Sequence, residues 1–305
     1  MRIRHLNCIS TCPLGGRIMD GRSLGVRGRL TNHCLLVETD AGLVLVDTGL
    51  GLRDVADPRG RLSHFFLALV SPDFREDLTA VRQIEALGYA AADVRHIVLT
   101  HLDFDHAGGL DDFPNATVHM MARERESALA RKTRLDKMRY RPQQWSTQAN
   151  WRTYSPSGGG ERWHGFEMVR ALDGLPPDIL LVPLFGHTLG HAGVAVRGND
   201  GWILDAGDVL LPRGDGRQPE VHAGPPLLPD DDGEGPRGAA AQPASRPRAR
   251  AGARGPSLLL ARRARVRTAG RACSRCAPAP RGAGRRAAVC RGISGALIRG
   301  GSTNQ

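Results

Sequence analysis

The sequence predicts an α/β fold in which buried strands end in polar loops. The runs 94–99, 179–184 and 202–204 have the apolar character and the length typical of buried strands. Polar residues or glycine, which are typical of loops, follow each run within two residues. Residues 123–132 are rich in Glu, Ala, Leu and Arg and predict a helix. The 305 residues are enough for one large domain or two small ones.

The most informative segment follows the first of these runs. Within residues 100–109, four side chains can bind a metal, namely His101, Asp103, Asp105 and His106. Imidazoles and carboxylates crowded at the end of a buried strand are costly unless a cation compensates them. The alternative is that these side chains only cap a loop and a helix. Four metal-competent side chains at this spacing favour a metal site.

Two later strand ends supply further candidate ligands. His187 and His191 follow the run 179–184, and Asp205 and Asp208 follow the next apolar run. Binding residues are commonly found on loops that a rigid scaffold holds in place. A single histidine after a strand would more often be a loop residue. Two such strand ends in addition to the first motif favour ligands.

The order of these candidates along the chain is similar to that of one hydrolase family. The pattern resembles the metallo-β-lactamase superfamily: His101-x-Asp103-x-Asp105-His106, then His187, then Asp208. Segments 32–38 and 44–49 resemble that superfamily's first hairpin. The resemblance runs from about residue 30 to about residue 212. It implies an αββα sandwich with the site at one edge of the two sheets. The lactonase-like branch, which includes N-acyl homoserine lactonases, is the most similar.

The resemblance implies two divalent metal ions and a set of ligands for each. Zinc is the expected metal. Asp103 stands where the family usually has histidine, and its harder carboxylate keeps manganese and iron as alternatives. The expected ligands are His101, Asp103 and His187 on the first ion, Asp105 and His106 on the second, and Asp208 bridging both.

Other residues near the motifs are expected to support the ligands. Asp47 would orient them through hydrogen bonds. His191 would form hydrogen bonds within its loop, and Asp205 would shape the end of its strand. Leu189 replaces the family's usual proline in that loop. Leu211 stands where lactonases often carry tyrosine, so a lactone substrate is less firmly implied than hydrolysis.

The implied reaction is hydrolysis of a small-molecule substrate. Two metal ions roughly 3.5–4 Å apart would hold a hydroxide that attacks a lactone or ester carbonyl. Asp105 is the candidate catalytic residue, which would transfer a proton to the leaving oxygen. A glyoxalase-II-like thioesterase and a phosphodiesterase of the same fold are the alternatives.

The positive charge of the chain is concentrated in its C-terminal part. Residues 1–220, the expected hydrolase domain, contain 26 Lys and Arg and 27 Asp and Glu. Residues 221–305 contain 16 Arg, no Lys and four acidic residues. The net charge of +11 therefore does not indicate nucleic-acid binding by the hydrolase domain. The tail is rich in Ala, Arg, Gly and Pro and lacks aromatic residues, which predicts disorder.

Three interpretations of the tail stay open. It could be an arginine-rich RNA-binding arm, a disordered linker, or the out-of-frame translation of a GC-rich gene. The third is favoured, because codons for residues 260–263 can be written so that the loss of one base yields Ser-His-Asp. The same shift upstream yields Asn-Gln-Arg, in an order that resembles the family's C-terminal end. The shift would begin between Asp208 and Pro225, and the chain as written could then be an inactive product.

A frameshift would explain why one expected ligand is missing. The family carries a last histidine on its second ion, and the only histidine after His191 is His222, whose surroundings do not match. Without that ligand, the second ion should bind weakly. The sandwich would also be incomplete at its C-terminal end.

The remaining sequence features predict a cytoplasmic protein. Cys8, Cys12 and Cys34 form no obvious disulfide framework, which suits a reducing compartment. No signal peptide is visible, and no apolar run reaches the roughly 18 residues of a membrane span. We expect a small-molecule substrate, no membrane partner and no nucleic-acid partner. The sequence indicates no particular oligomeric state.

The segment 133–166 is rich in aromatic residues. They could line an apolar substrate pocket beside the metals, or they could only pack the segment onto the sandwich. The residues concerned are Tyr140, Trp145, Trp151, Tyr154, Trp163 and Phe166.

Overall fold

The computed structural model describes residues 1–155 and 160–208, together with the backbone of two short strands, Leu259–Leu260 and Ile298–Gly300. Three expectations fall outside the described residues: the domain boundary at residue 220, the disorder of the tail, and its reading frame. His222 also lies outside them. These expectations therefore stay predictions.

Six strands form the first sheet, in the same order in space as along the chain. The first three pair antiparallel, and the last four pair parallel, with the third strand common to both sets. They are β1 Arg2–Thr11, β2 Leu30–Thr39, β3 Gly42–Val46, β4 Val94–Val98, β5 Thr117–Met121 and β6 Trp151–Tyr154.

The second sheet is antiparallel, in the order β7-β8-β9-β10-β11-β13-β12. Its strands β12 and β13 are Leu259–Leu260 and Ile298–Gly300. The others are β7 Glu161–Trp163, β8 Phe166–Ala171, β9 Ile179–Pro183, β10 Ala192–Gly198 and β11 Gly201–Asp205.

The α-helices of the described residues all precede β6 along the chain. Most are shorter than two turns, and α6 matches the helix that the sequence predicts at 123–132. They are α1 Arg17–Asp20, α2 Leu52–Ala56, α3 Pro58–Arg61, α4 His64–Val70, α5 Ala80–Ala86, α6 Ala122–Ala130 and α7 Arg134–Arg139.

The central strand β3 is apolar on both faces because both faces are covered. On β3, Val44 and Val46 belong to the cluster between the two sheets, which includes Leu181 and Val194 of the second sheet. The alternate residue Leu45 belongs to the cluster that α5 and α6 cover. Alternation of side chains along a strand produces this division. The α/β class and the sandwich of two sheets are confirmed.

The aromatic residues of 133–166 pack into the protein core. Tyr140 and Trp145 are buried in the cluster on the helical side of the first sheet, and Trp151 packs against that cluster. Tyr154 belongs to the cluster between the sheets, and Trp163 packs beside Phe166 of β8. Of the two alternatives for this segment, the structure shows the packing role.

Two of the three N-terminal cysteines form no disulfide. Cys8 and Cys34 are free and buried. The expectation was wrong for Cys12, which is disulfide-bonded. The spacing of cysteines in a sequence does not reveal which side chains the fold brings into contact, because pairing depends on the positions of their Cα and Cβ atoms. Within the described ranges, no helix has both the length and the hydropathy that a membrane span requires.

Candidate metal centre

The predicted ligands meet because four strands end at one edge of the sandwich. Asp47 directly follows β3, and His101 follows β4, which runs parallel to β3. His187 and Asp208 follow β9 and β11 of the second sheet. Parallel neighbours bring their carboxyl ends to the same edge, so residues far apart in sequence become neighbours. A site at the sheet edge is therefore what the topology produces.

The first group of potential ligands contains His101, Asp103 and His187. Their ligand atoms all lie within 4.8 Å of one another. Asp103 Oδ2 lies 3.4 Å from His101 Nε2 and 3.0 Å from His187 Nε2. These three residues are the ones expected on the first metal ion.

The second group contains His101, His106 and Asp208, again with ligand atoms within 4.8 Å of one another. Asp208 Oδ1 lies 3.4 Å from His106 Nε2. The other oxygen, Oδ2, lies 3.6 Å from His187 Nε2 and 3.9 Å from His101 Nε2. Asp208 thus faces both groups, one oxygen toward each, which is the geometry that a bridging carboxylate requires.

Asp105 belongs to neither group of potential ligands. It is half-buried beside them, and burial raises the pKa of its carboxyl group, as do the nearby carboxylates of Asp208 and Asp103. His101 is the third member of the second group, and the placing of Asp105 with His106 on a second ion stays a prediction.

Asp47 holds two of the neighbouring segments together. Its Oδ1 accepts a hydrogen bond from the Thr100 backbone N–H at 2.8 Å, and its Oδ2 accepts one from Thr100 Oγ1 at 2.8 Å. Oδ2 also lies 2.8 Å from His106 Nδ1. A carboxylate on Nδ1 fixes the ring so that Nε2 faces the site. This is the orienting geometry expected of Asp47.

His191 has both ring nitrogens engaged with the backbone. Nδ1 donates to the Leu184 carbonyl at 2.9 Å, and Nε2 accepts from the Asp208 N–H at 3.1 Å. Gly207 lies so close that an added Cβ would come within 2.6 Å of Nε2. The ring therefore positions the backbone of Asp208 and has no nitrogen left for a metal.

Asp205 also interacts at the end of its strand. Its Oδ1 accepts a hydrogen bond from the Gly207 N–H at 3.2 Å, and its Oδ2 lies 3.2 Å from His33 Nδ1. The carboxylate thus ties the end of β11 to β2, on the other sheet. Asp205 shapes the strand end in the way that the sequence predicts.

No sequence motif marks Glu124, a fully buried carboxylate on α6. It accepts hydrogen bonds from the Leu102 N–H at 3.0 Å, from the Thr188 hydroxyl and from the Gly190 N–H at 3.2 Å. One helix residue thus anchors both ligand-bearing loops. A Glu among several charged residues of a predicted helix carries no sequence signal of this contact.

Arg139, the last residue of α7, is a second functional candidate that no sequence motif marks. Its guanidinium donates to both carboxylate oxygens of Asp103, from Nε at 2.7 Å and from Nη2 at 2.6 Å. Nη2 also lies 2.9 Å from His187 Nε2, and Nη1 donates to the His187 carbonyl at 3.3 Å. An arginine among many basic residues of a surface segment carries no sequence signal of this contact.

The charged groups of the centre shift one another's pKa values. Burial disfavours the charged form of His106, but the carboxylate of Asp208 outweighs it and holds the pKa well above its usual value. Burial likewise opposes ionisation of Asp103, but His101 and Arg139 hold its pKa well below its usual value. Neighbouring opposite charges thus favour the charged forms of His106 and Asp103 in spite of their burial.

These residues fit a divalent cation. Among the described residues, His101 Nε2 is a buried nitrogen that has no hydrogen-bond partner, and it belongs to both groups of potential ligands. Its Nδ1 is engaged with Thr100 Oγ1 at 2.9 Å, which leaves Nε2 for the site. Imidazole nitrogens and carboxylate oxygens are the donors that zinc, manganese and iron accept.

Comparison with known proteins gives the same family. The sequence model of one protein family, the metallo-beta-lactamase superfamily, matches residues 27–253 of this chain. A probable metallo-hydrolase of Mycobacterium tuberculosis is 43% identical over 219 residues, which cover 71% of this chain and 66% of that protein. The N-acyl homoserine lactonase AiiA of Bacillus thuringiensis subsp. kurstaki is 33% identical over 125 residues, which cover 39% of this chain and 50% of that protein.

The chain thus spans between half and two thirds of the length of these relatives. A solved structure, of a probable metal-dependent hydrolase from Staphylococcus aureus, has a TM-score of 0.51 and 19% identity, and covers 68% of this chain and 72% of that chain. That likeness shows the fold. The family model matches residues 27–253, which include most of the described residues, and the candidate ligands lie at the sheet edge. The chain therefore belongs to the metallo-beta-lactamase superfamily.

Proposed function

We propose that the chain is a metal-dependent hydrolase that opens a lactone or ester. The observation that carries this proposal is the meeting of two three-residue groups that share His101, with Asp208 of the second group also facing His187 of the first. The family includes relatives named as metallo-hydrolases and as N-acyl homoserine lactonases, which supports a cyclic ester as the substrate class.

We assign the ligands as the geometry groups them. His101, Asp103 and His187 would hold one divalent ion, and His106 and Asp208 would hold a second with His101 nearby. Zinc is the proposed metal, with manganese and iron as alternatives because Asp103 offers a hard oxygen. When bound, such ions lower the pKa of water towards about 7 and polarise a carbonyl group.

The protein side chains supply orientation and proton transfer. Asp47 fixes the ring of His106, and Glu124 fixes the two loops that carry ligands. Asp105, in neither ligand group, would transfer a proton from its carboxyl group to the leaving oxygen of the opened ester. Burial raises the pKa of that carboxyl group, which favours its proton-carrying form.

The test is hydrolysis by the full-length chain of a substrate panel: an N-acyl homoserine lactone, an aryl ester, a thioester and a phosphodiester. We expect the fastest turnover on the lactone or the ester, its loss with a chelator and its return with Zn²⁺. Fastest turnover of the thioester would instead support a thioesterase, and fastest turnover of the phosphodiester would support a phosphodiesterase. No turnover of any substrate would support an inactive product.

A variant tests the role of Asp105. Asp105→Asn should lower kcat by at least about a hundredfold, in the range of general acid–base catalysis, while the fold is unchanged. Asp40→Asn, on an exposed turn, is the matched control and should keep wild-type activity. Near wild-type turnover by Asp105→Asn, with a normal circular dichroism spectrum, would remove Asp105 from the mechanism.

A further inference from the structure

Arg139 lies where a cation is expected to bind. Its guanidinium contacts both oxygens of Asp103, at 2.7 and 2.6 Å, and His187 Nε2, at 2.9 Å. Asp103 Oδ2 and His187 Nε2 are two of the three ligand atoms of the first group. The same lone pairs that would bind a metal ion are therefore directed at a protein cation.

The arginine is held in this position by its helix. At the start of α7, Thr133 Oγ1 accepts from the Asp136 N–H at 3.0 Å, and the Thr133 N–H donates to Asp136 Oδ2 at 2.9 Å. This capping box fixes where the helix begins. Arg139 is half-buried at the C-terminal end of α7, and its guanidinium carbon lies 5.8 Å from the ring centre of Tyr140.

Two cations cannot share these ligand atoms at low cost. An ion bound to Asp103 and His187 would lie beside the guanidinium, and like charges repel strongly in a desolvated site. Asp103 also departs from the histidine that the family usually has at this position. A carboxylate can form a bidentate pair with arginine, whereas an imidazole cannot. Asp103 and Arg139 thus form a pair that the usual ligand would not allow.

We infer that Arg139 is an internal cation that competes with the metal for Asp103 and His187. The first ion binds when the guanidinium withdraws from these two side chains, so the Asp103–Arg139 pair sets the affinity of the first ion. The second group differs from the first in the partners of its carboxylate. Asp208 is paired with histidines, whereas Asp103 is also paired with an arginine. This inference rests on the proposed metal centre but not on the proposed substrate.

The test is a titration of the full-length, metal-free chain with Co²⁺, followed by visible absorption and by competition with a chelator. The visible spectrum separates imidazole and carboxylate ligation from thiolate ligation. Arg139→Gln removes the competing charge and should bind one ion at least about tenfold more tightly than the wild type does. Arg139→Lys keeps a charge without the bidentate pair, so its affinity should lie between the two.

Arg134→Gln is the matched control, because Arg134 is an exposed residue of the same helix. It should bind Co²⁺ as the wild type does. Equal or weaker binding by folded Arg139→Gln would overturn the inference while leaving the metal centre in place. If that variant does not fold, equal or weaker binding by Arg139→Lys decides in the same way. No Co²⁺ binding by any variant would overturn the proposed centre and this inference together.

Discussion

Asp47 is a single residue on which the geometry of the centre depends. It is buried, and its backbone φ of 53° lies in the left-handed region, which non-glycine residues seldom adopt. Its carboxylate contacts Thr100 and His106. A strained backbone kept in place by its hydrogen bonds is typical of functional sites. Asp47 therefore joins the end of β3 to the metal motif.

Loss of that carboxylate should weaken metal binding. In Asp47→Ala, the ring of His106 loses the partner that orients it, and the affinity for Zn²⁺ should fall by about 10- to 100-fold. Chelator competition on the full-length chain measures this change. Asp40→Ala, at an exposed position, should leave the affinity unchanged. Unaltered Zn²⁺ affinity in Asp47→Ala would show that His106 needs no such support.

His119 predicts how the stability of the fold depends on pH. It is buried on β5, 2.8 Å from the Tyr154 hydroxyl and 2.9 Å from His96 Nδ1. Burial and the neighbouring His96 lower the pKa of His119 to about 4. The unfolded chain, with an imidazole pKa near 6.5, therefore takes up the proton first as the pH falls.

Acidification from pH 7 to pH 5 should therefore cost about 1 to 2 kcal/mol of unfolding free energy through His119. Urea unfolding at the two pH values measures this dependence. His119→Asn should remove this part of the pH dependence, even if the variant is less stable at both values. His64→Asn, at an exposed position, should keep it. An unchanged slope in His119→Asn would assign the dependence to other groups.

At the scale of secondary-structure elements, α6 connects the two ligand loops. Through Glu124 it reaches the loop after β4, at Leu102, and the loop after β9, at Thr188 and Gly190. Those loops belong to different sheets. A helix packed on the outer face of the first sheet thus sets the distance between ligands from both sheets.

Glu124→Ala should therefore affect both stability and metal binding. Buried donors of the two loops lose their acceptor, and the unfolding free energy should fall by about 2 to 4 kcal/mol. The Zn²⁺ affinity should fall as well, because the two loops are no longer held at a common distance. Chemical denaturation and chelator competition measure the two effects. Glu126→Ala, exposed on the same helix, should change neither quantity, and identical behaviour of the two variants would remove this role from Glu124.

At the scale of the whole molecule, the interpretation of the tail as out-of-frame stays a prediction. It is motivated by a change in composition, from a near-neutral domain to 16 arginines against four acidic residues in 221–305. It also follows from the absence of a last histidine ligand. Sequencing of the coding DNA between the codons for Asp208 and Pro225 should find one base lost or gained. A reading frame without such a change would make the basic tail genuine.

The sequence by itself determined the class of the fold and the candidate metal-binding residues. The spacing of His101, Asp103 and His106 after an apolar run indicated both a buried strand and a metal site, because each depends on local order along the chain. The strands β4, β9 and β11 and the helix α6 lie where their apolar or helix-favouring runs predict them. Local patterns determine local structure, so these predictions needed no knowledge of the fold.

Only the tertiary structure decided which side chains share the site. Arg139 and Glu124 lie on helices that no motif marks, and they reach Asp103 and the two ligand loops only because the sheets bring these segments together. Asp105 has the right spacing for a ligand but lies outside both groups. Contacts between residues distant in sequence depend on packing, and a linear pattern does not contain that information. The physical reason is that distances in space follow from the order and direction of the strands.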